Sequence, residues 1–363
     1  MATDTQAAAR DALAERLFGA ALGAYELMTV HLGDRLGLYR ALREHGETTP
    51  VELAAATGTN ERYAREWLEQ QAVAGILEVD DVAAAPDARR YRLPPAHAEV
   101  LVDRDSLAHL TPLARYSVSF AHVLPAVEEA FRRGGGVPWE EYGELGREAQ
   151  GDANRPLFAN LLGSEWLPAI TDVHERLLAD PPARVADVAC GAGWSSIAIA
   201  SAYPMVTVDG YDLDESSVEL ARANLAGTGV EDRVSFHRRD AGDPELAGSY
   251  QLVTVFEAIH DMPRPVEVLR ALGGLAADDG AVVIMDERVA DVFTAPGDEV
   301  ERLMYTYSVL CCLPVGLAET PSAGTGTVMR TDTLRRYAAE AGFADVEVLP
   351  IDHEVFRFYR LVK

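Results

Sequence analysis

The chain has 363 residues, 48% of them hydrophobic and 25% charged, which is the make-up of a globular protein long enough for two domains of roughly 100–200 residues. A formal net charge of −26 repels phosphate backbones and anionic lipid heads, so neither nucleic acid nor a membrane is an expected partner. The basic residues are arginines apart from Lys363, which excludes chemistry that needs a buried lysine, such as a pyridoxal Schiff base or a Walker-type phosphate loop.

The N-terminus carries Asp4, Asp11 and Glu15 where a secretory leader would be basic and then apolar, and the apolar stretch Leu17–Val30 is interrupted by Glu26 and too short to span a bilayer. Residues from about 12 to 45 place Leu17, Leu22, Tyr25, Met28, Leu32, Leu36 and Leu42 at helical spacing. Thr49-Pro50-Val51-Glu52 has the form of a capping box with proline at the first helical position, predicting a short helix to about Ala56. A second helix follows over Glu61–Gln71, and Ile76–Val79 and Arg89–Leu93 read as two strands around a polar turn. Helices followed by a two-stranded wing predict a winged helix. Its would-be recognition helix sets Arg62 and Arg65 against Glu61, Glu66 and Glu69, a net negative surface unsuited to a DNA groove, so an interaction module is expected rather than a DNA reader.

Residues from about 105 to 180 are helical by period, with helices predicted over Leu107–Phe131 and Arg155–Leu178 and a glycine-rich turn at Gly134–Gly136. His109, His122 and His174 read as packing residues. Tyr142 and Trp166 are candidates for a substrate cavity.

From Arg184 strands and helices alternate: strands at Arg184–Ala189, Val206–Tyr211, Val234–Arg238, Leu252–Phe256 and Ala281–Met285, a helix at Thr331–Ala341, and a hairpin over Val346–Leu349 and Val355–Leu361. This predicts a doubly wound α/β sheet with its ligand site at the strand C-termini. After the first strand comes Asp187-Val188-Ala189-Cys190-Gly191-Ala192-Gly193, whose glycines let a backbone approach a ligand and whose following helix points free N–H groups at it. A nicotinamide enzyme also uses Gly-x-Gly, but a carboxylate at Asp187 suits a cationic ligand better than a pyrophosphate, and Ser196 stands where a third glycine belongs. Asp212 ends the second strand, placed to bind ribose hydroxyls; Asp214 reads as a helix cap. Asp240-Ala241 follows the third strand, with a turn before Gly242 as the alternative for Asp240.

The loop resembles the D-x-G-x-G-x-G motif of class I S-adenosylmethionine-dependent methyltransferases, with Ala189 in place of the first glycine, and the resemblance runs from Arg184 to the C-terminus. It implies a Rossmann-like, seven-stranded domain holding S-adenosylmethionine through Asp187, Gly191, Gly193, Asp212, Asp240, Ala241 and Phe256 or Glu257. Phe256-Glu257-Ala258-Ile259-His260-Asp261-Met262 resembles the L-H-D-W motif of O-methyltransferases, which implies His260 as general base and Glu287 as the acid that orients it. The alternative for His260-Asp261 is the start of a helix, with Asp261 as its cap. Met304, Tyr307, Ser308 and Cys311 share one helical face and are further candidates for the substrate cavity, although such a stripe also describes plain core. The cysteines Cys190, Cys311 and Cys312 form no disulfide framework and read as free thiols in the cytoplasm; no metal-ligand spacing is present.

The whole chain looks closest to bacterial small-molecule O-methyltransferases with an N-terminal winged-helix dimerisation domain. The resemblance implies a homodimer built on residues 1–104, cavity helices over 105–180, a catalytic domain over 181–363, and a small hydroxylated acceptor. Transfer to nitrogen or carbon, another sulfonium-dependent reaction, and a cofactor-sensing transcription regulator are the alternatives.

Overall fold

The computed structural model describes residues 2–240, 242–243 and 248–363. The chain divides into two compact units, at Val118 and Ser119.

In the first unit the helix Ala2–Arg35 ends before Gly37, whose φ of 70° lies in the left-handed region that only glycine adopts freely, and a second helix, Leu38–His45, starts there. The capping box forms as predicted: the Glu52 amide donates to the Thr49 hydroxyl at 3.3 Å and the Thr49 amide to the Glu52 carboxylate at 2.8 Å, opening the helix Pro50–Thr57. Asn60 caps the helix Glu61–Val73, accepting from the amides of Arg62 and Tyr63. The wing is short, Glu78–Val79 paired antiparallel with Tyr91–Arg92. Leu38, Leu42, Leu53, Leu68 and Tyr91 fill the core of this unit. On the helix Glu61–Val73, Arg62 pairs with Glu66, and Arg65 lies 2.8 Å from Asp87, so both arginines spend their charge within the unit. The helix Ala2–Arg35 turns Leu13, Leu17, Phe18, Leu22, Tyr25, Met28 and Leu32 outward, a long exposed apolar side; Phe18 is 74% exposed.

The second unit is a seven-stranded sheet: β1 (Arg184–Val188), β2 (Thr207–Asp212), β3 (Val234–Arg238), β4 (Tyr250–Phe256), β5 (Ala276–Glu287), β6 (Asp345–Val348) and β7 (Phe356–Val362), in spatial order β3-β2-β1-β4-β5-β7-β6. β1 to β5 are parallel and β7 runs antiparallel between β5 and β6. The β1/β4 border is where the strand order reverses, the place where such sheets open a crevice at their C-terminal ends. One face is covered by a core with Ile199, Leu252 and Phe358, the other by a core with Val188, Leu269, Ile284 and Leu334, so β1 and β4 are buried on both sides and read in sequence as nearly continuous apolar runs.

The helical region before the sheet differs from its prediction. After the helix Thr111–Arg133 comes a 3₁₀ turn at Trp139–Tyr142, and the next helix starts at Gly143, twelve residues before the predicted Arg155; it passes at Phe158 into a π-helical segment reaching Trp166. The reason lies in the buried side of Gly143–Leu157, which carries Gly146, Ala149, Gly151, Asp152 and Pro156 rather than large apolar residues, so no hydrophobic period marks it. Those small residues permit close packing: a Cβ on Gly151 would stand 2.6 Å from the Cβ of Ala192, so this helix lies directly against the glycine-rich loop.

Candidate active site

The loop after β1 is held in shape by left-handed backbone. Ala189, Gly191 and Gly193 have φ of 55°, 51° and 79°. Ala189 therefore adopts the conformation of the glycine it replaces, at a cost of roughly 1–2 kcal/mol for a residue with a Cβ. Gly193 is required twice over: besides its φ, a Cβ there would meet the Phe236 ring at 2.5 Å. At Gly191 the direction of a Cβ is open space.

Asp187 does not reach into that space. Its buried carboxylate accepts from the hydroxyls of Ser195 at 2.5 Å, Ser196 at 2.6 Å and Thr254 at 2.8 Å. The sequence reading set this carboxylate against a cationic ligand; the structure spends it instead on tying β1 to the following helix and to β4. Burial raises its proton affinity, and the three hydroxyls oppose that.

Asp212 ends β2 and accepts from the amides of Gly191 (2.8 Å) and Asp214 (2.9 Å), so it both braces the loop and stands at its rim; burial raises its pKa. Asp214 caps the next helix through the amide of Ser217, as the sequence suggested, and also takes a two-pronged contact from Arg147 at 2.5 and 3.1 Å. Asp240 is exposed, with one carboxylate oxygen accepting from the Gly242 amide at 2.8 Å, the turn role weighed for it. Ala241 lies outside the described residues. Phe256 is a core residue, its ring 5.5 Å from that of Phe158.

Glu257 directly follows β4 with a φ of 52°, strained for a residue with a side chain. Its carboxyl accepts from the side-chain amides of Asn154 and, at 3.3 Å, Gln150. Burial pushes its pKa up to about 7. Arg147, Gln150 and Asn154 stand three and four residues apart on the overlying helix Gly143–Leu157 and face the strand ends together. Sequence reading missed all three because it missed the helix. Asp261, also pushed up to about 7 by burial, lies within electrostatic reach of Asp212 and His260. The helix after it begins only at Pro265, with Arg264 at its cap position and no side-chain cap bond, which removes the reading of Asp261 as a cap.

His260 is 3% exposed. Its Nδ1 lies 2.7 Å from Asp286 Oδ1 and 3.1 Å from Glu287 Oε2 at the end of β5. Glu287 thus stands at the imidazole as predicted, but the shorter contact belongs to Asp286, which sequence reading passed over although it adjoins Glu287. Burial lowers the histidine's proton affinity, yet the two carboxyls overcome it and the net shift is strongly upward. The imidazole and the Glu287 amide hold Asp286 low against its burial, whereas burial drives Glu287 well above the carboxylate range. The centre is an imidazole between two acids shifted in opposite directions, Asp286 toward the ionised form and Glu287 toward the neutral one. Among the described residues these three groups are close enough to enclose a cation, but a spacing of 2.7 Å is a direct hydrogen bond that already occupies Nδ1.

The remaining candidates divide. Trp166 packs in the core, 4.9 Å from Phe358 by ring centre. Tyr142 is buried, donates to the Leu310 carbonyl at 2.8 Å and stacks on Trp139 at 5.5 Å. Met304, Ser308 and Cys311 are buried. Burial raises Tyr307 to about 12, and the neighbouring Glu257 adds to it; its ring meets Phe120 edge-on at 5.7 Å. His174 bonds the Tyr203 hydroxyl and His109 the Val100 carbonyl, both packing roles, while His122 is exposed.

Comparison with known proteins agrees with this geometry. Residues 179–326 match a methyltransferase domain and residues 20–103 an Rv2258c-like winged HTH domain. The chain is 29% identical over 175 residues to a ubiquinone biosynthesis O-methyltransferase of Aromatoleum aromaticum, covering 47% of this chain and 68% of the relative, and 35% identical over 129 residues to one of Bordetella avium, covering 35% and 50%. It thus spans about half to two-thirds of the length of these relatives. Among solved structures it is similar to mitomycin 7-O-methyltransferase (TM-score 0.69, 20% identity, 98% of this chain and 99% of that one) and to human N-acetylserotonin methyltransferase in complex with S-adenosylmethionine (0.69, 18%, 96% and 97%). The shared fold therefore extends over both units.

Proposed function

From a chain that has the class I methyltransferase fold, with a methyltransferase domain behind a winged helix-turn-helix domain, we propose an enzyme that moves a methyl group from S-adenosylmethionine to a hydroxyl of a small metabolite. The observation that carries the reading is the joining of two features at one end of the sheet: the left-handed loop Ala189–Gly193 and the buried His260–Asp286 pair.

The residues at the strand ends fit that cofactor. Asp212 and Glu257 are carboxyls whose hydrogen-bond partners are backbone and side-chain amides, not cations, and Asp261 stands near Asp212. Such a set favours a ligand that brings positive charge, and the open direction at Gly191 leaves its backbone accessible. Asp212 would hold the ribose and Asp240 the adenine amino group; Glu257 and Asp261 would face the cationic end.

When bound, S-adenosylmethionine supplies an electrophilic methyl on a sulfonium. The chain's own work is then to position the acceptor and take its proton. Asp286 fixes the imidazole through Nδ1, leaving the other ring nitrogen of His260 as the base, and its negative charge balances the imidazolium that forms. Glu287, kept neutral by burial, shapes the pocket without adding a second charge. Tyr307, beside Glu257, would line the acceptor pocket.

The exposed apolar side of the helix Ala2–Arg35 supports a homodimer through the N-terminal unit, since so long an apolar stripe is unusual on a monomer. Three free cysteines suit a reducing cytoplasm. Among the described residues no helix is long and apolar enough to cross a membrane.

The test is incubation with S-adenosylmethionine and a panel of hydroxylated metabolites, reading S-adenosylhomocysteine and methylated product together. Product on a hydroxyl supports the proposal. Release of S-adenosylhomocysteine with methyl on nitrogen or carbon only, or no turnover on any acceptor, would remove it.

A further inference from the structure

The helix Gly143–Leu157 reaches an acid on each side of the end of β1. Arg147 grips Asp214, just beyond β2, through Nε at 2.5 Å and a second guanidinium nitrogen at 3.1 Å, and the two side chains are 10% and 12% exposed. Two helical turns further on, Asn154 donates to Glu257 beyond the end of β4, and Gln150 donates to the same carboxylate oxygen at 3.3 Å. Arg147 and Asn154 are separated by roughly 10 Å of helix. β2 and β4 flank β1 and so also stand roughly 10 Å apart. The helix therefore lies across the strands. Gly151 sits against Ala192 between the two contacts, and Arg155 lies over the Trp194 ring at 4.3 Å.

On the β2 side the contact is relayed by the backbone. The Asp214 amide donates to Asp212 Oδ1 at 2.9 Å, and Asp212 Oδ2 accepts from the Gly191 amide at 2.8 Å. By holding Asp214, Arg147 fixes the turn that orients Asp212. On the β4 side both side-chain amides converge on Oε2 of Glu257, leaving Oε1 as the oxygen that a cationic ligand would meet.

We propose that Arg147 and Asn154 are positioning residues for the two halves of the cofactor. Arg147, through Asp214, sets Asp212 for the nucleoside; Asn154, with Gln150, sets Glu257 for the cationic amino-acid end. The inference rests on the proposed function, from which it takes the cofactor and the roles of Asp212 and Glu257. The residue types match this division. A guanidinium would neutralise a carboxylate meant for a cation, whereas side-chain amides orient Glu257 and leave its charge in place. Ribose hydroxyls carry no charge, so an ion pair beside Asp212 does not compete with them.

The probes are S-adenosylmethionine and 5′-methylthioadenosine, which keeps the nucleoside and lacks the cationic end, each titrated calorimetrically into the full chain. Asn154→Leu is expected to weaken S-adenosylmethionine by about tenfold, the usual worth of a hydrogen bond to a charged group, and to leave 5′-methylthioadenosine unchanged. Arg147→Met is expected to weaken both ligands by about the same factor. In the Glu257→Gln background Asn154→Leu is expected to cause no further loss of S-adenosylmethionine, because the charge it orients is gone. With an acceptor in hand, both single variants are expected to raise the KM for cofactor and not the KM for acceptor. Should either variant fold poorly, Asn154→Ala or Arg147→Lys takes its place with the same selectivity expected. Equal weakening of the two ligands by the Asn154 variant, an undiminished loss in the Glu257→Gln background, or unchanged 5′-methylthioadenosine binding in the Arg147 variant would overturn the proposal while leaving the cofactor site standing. An unaltered chain that binds neither ligand would remove the proposed function and this inference with it.

Discussion

The Nδ1 atom of His260 lies 2.7 Å from Oδ1 of Asp286, with both side chains buried, while Glu287 approaches the same nitrogen at 3.1 Å. Two carboxyls on successive residues, the last two of β5, converge on one imidazole nitrogen. Asp286 is held low by the imidazole and Glu287 is driven up by burial, and this division gives the first prediction.

Asp286→Asn is expected to lower methyl transfer by about 10²–10⁴-fold, the usual worth of acid–base catalysis, with cofactor affinity little changed. Asp286 raises the histidine's proton affinity, so its loss moves the rising limb of the rate against pH toward acid. Glu287→Gln, close in shape to the neutral acid, is expected to keep most of the rate. Equal losses in the two variants would contradict the assignment, and the measurement is kcat across pH 5–9.

The same pair makes stability depend on pH. The folded pKa of His260 is raised, so its contribution is complete below the unfolded value of about 6.5 and fades as pH climbs through the folded one. Asp286 is depressed, so its contribution is present above about 3.9 and is lost in stronger acid. Thermal unfolding of Asp286→Asn is therefore expected to show its largest deficit between these limits; a deficit independent of pH would mean that packing, not charge, is what was lost.

Cofactor affinity should rise as pH crosses about 7, where Glu257 and Asp261 ionise and come to favour a cation. Calorimetry in buffers of different ionisation enthalpy should register proton release near pH 6.5, and Glu257→Gln with Asp261→Asn should abolish it. Binding that tightens toward acid would contradict this account of the crevice.

Ala189→Gly should stabilise the protein. Relief of the left-handed alanine gains roughly 1–2 kcal/mol, the freer unfolded chain costs about 0.4–1 kcal/mol, and the balance corresponds to a rise of about 1–3 °C in Tm. Gly193→Ala should do the reverse, since Phe236 and Ala221 occupy the space its Cβ needs. Differential scanning calorimetry checks both signs.

Charge placed on the apolar side of the first helix, as in Tyr25→Glu with Leu17→Glu, should convert a dimer to a monomer in light scattering at matched concentration. An unaltered protein that is already monomeric would remove the dimer proposal.

The strands were legible in the sequence because buried parallel strands are continuous apolar runs between turn residues, and the helix Thr331–Ala341 was legible to its ends. The helix Gly143–Leu157 was not, because close packing on the loop demands small residues, and these carry no hydrophobic period. With it went Arg147, Gln150 and Asn154. The roles of individual acids were also hidden. Their places after the strands, with the family resemblance for Asp240 and Glu287, put Asp187, Asp212, Asp240 and Glu287 near one crevice, but whether a carboxylate is consumed by hydroxyls, as at Asp187, or left facing amides, as at Glu257, depends on partners 67 and 103 residues away.

The central claim is that the crevice at the strand ends holds S-adenosylmethionine, and isothermal titration of the full chain with that cofactor tests it most directly. One site per chain is expected, weakened by about tenfold or more in Asp212→Ala as the rim acid and its brace on the Gly191 amide are lost. No binding by the unaltered chain, or binding indifferent to Asp212, would contradict it.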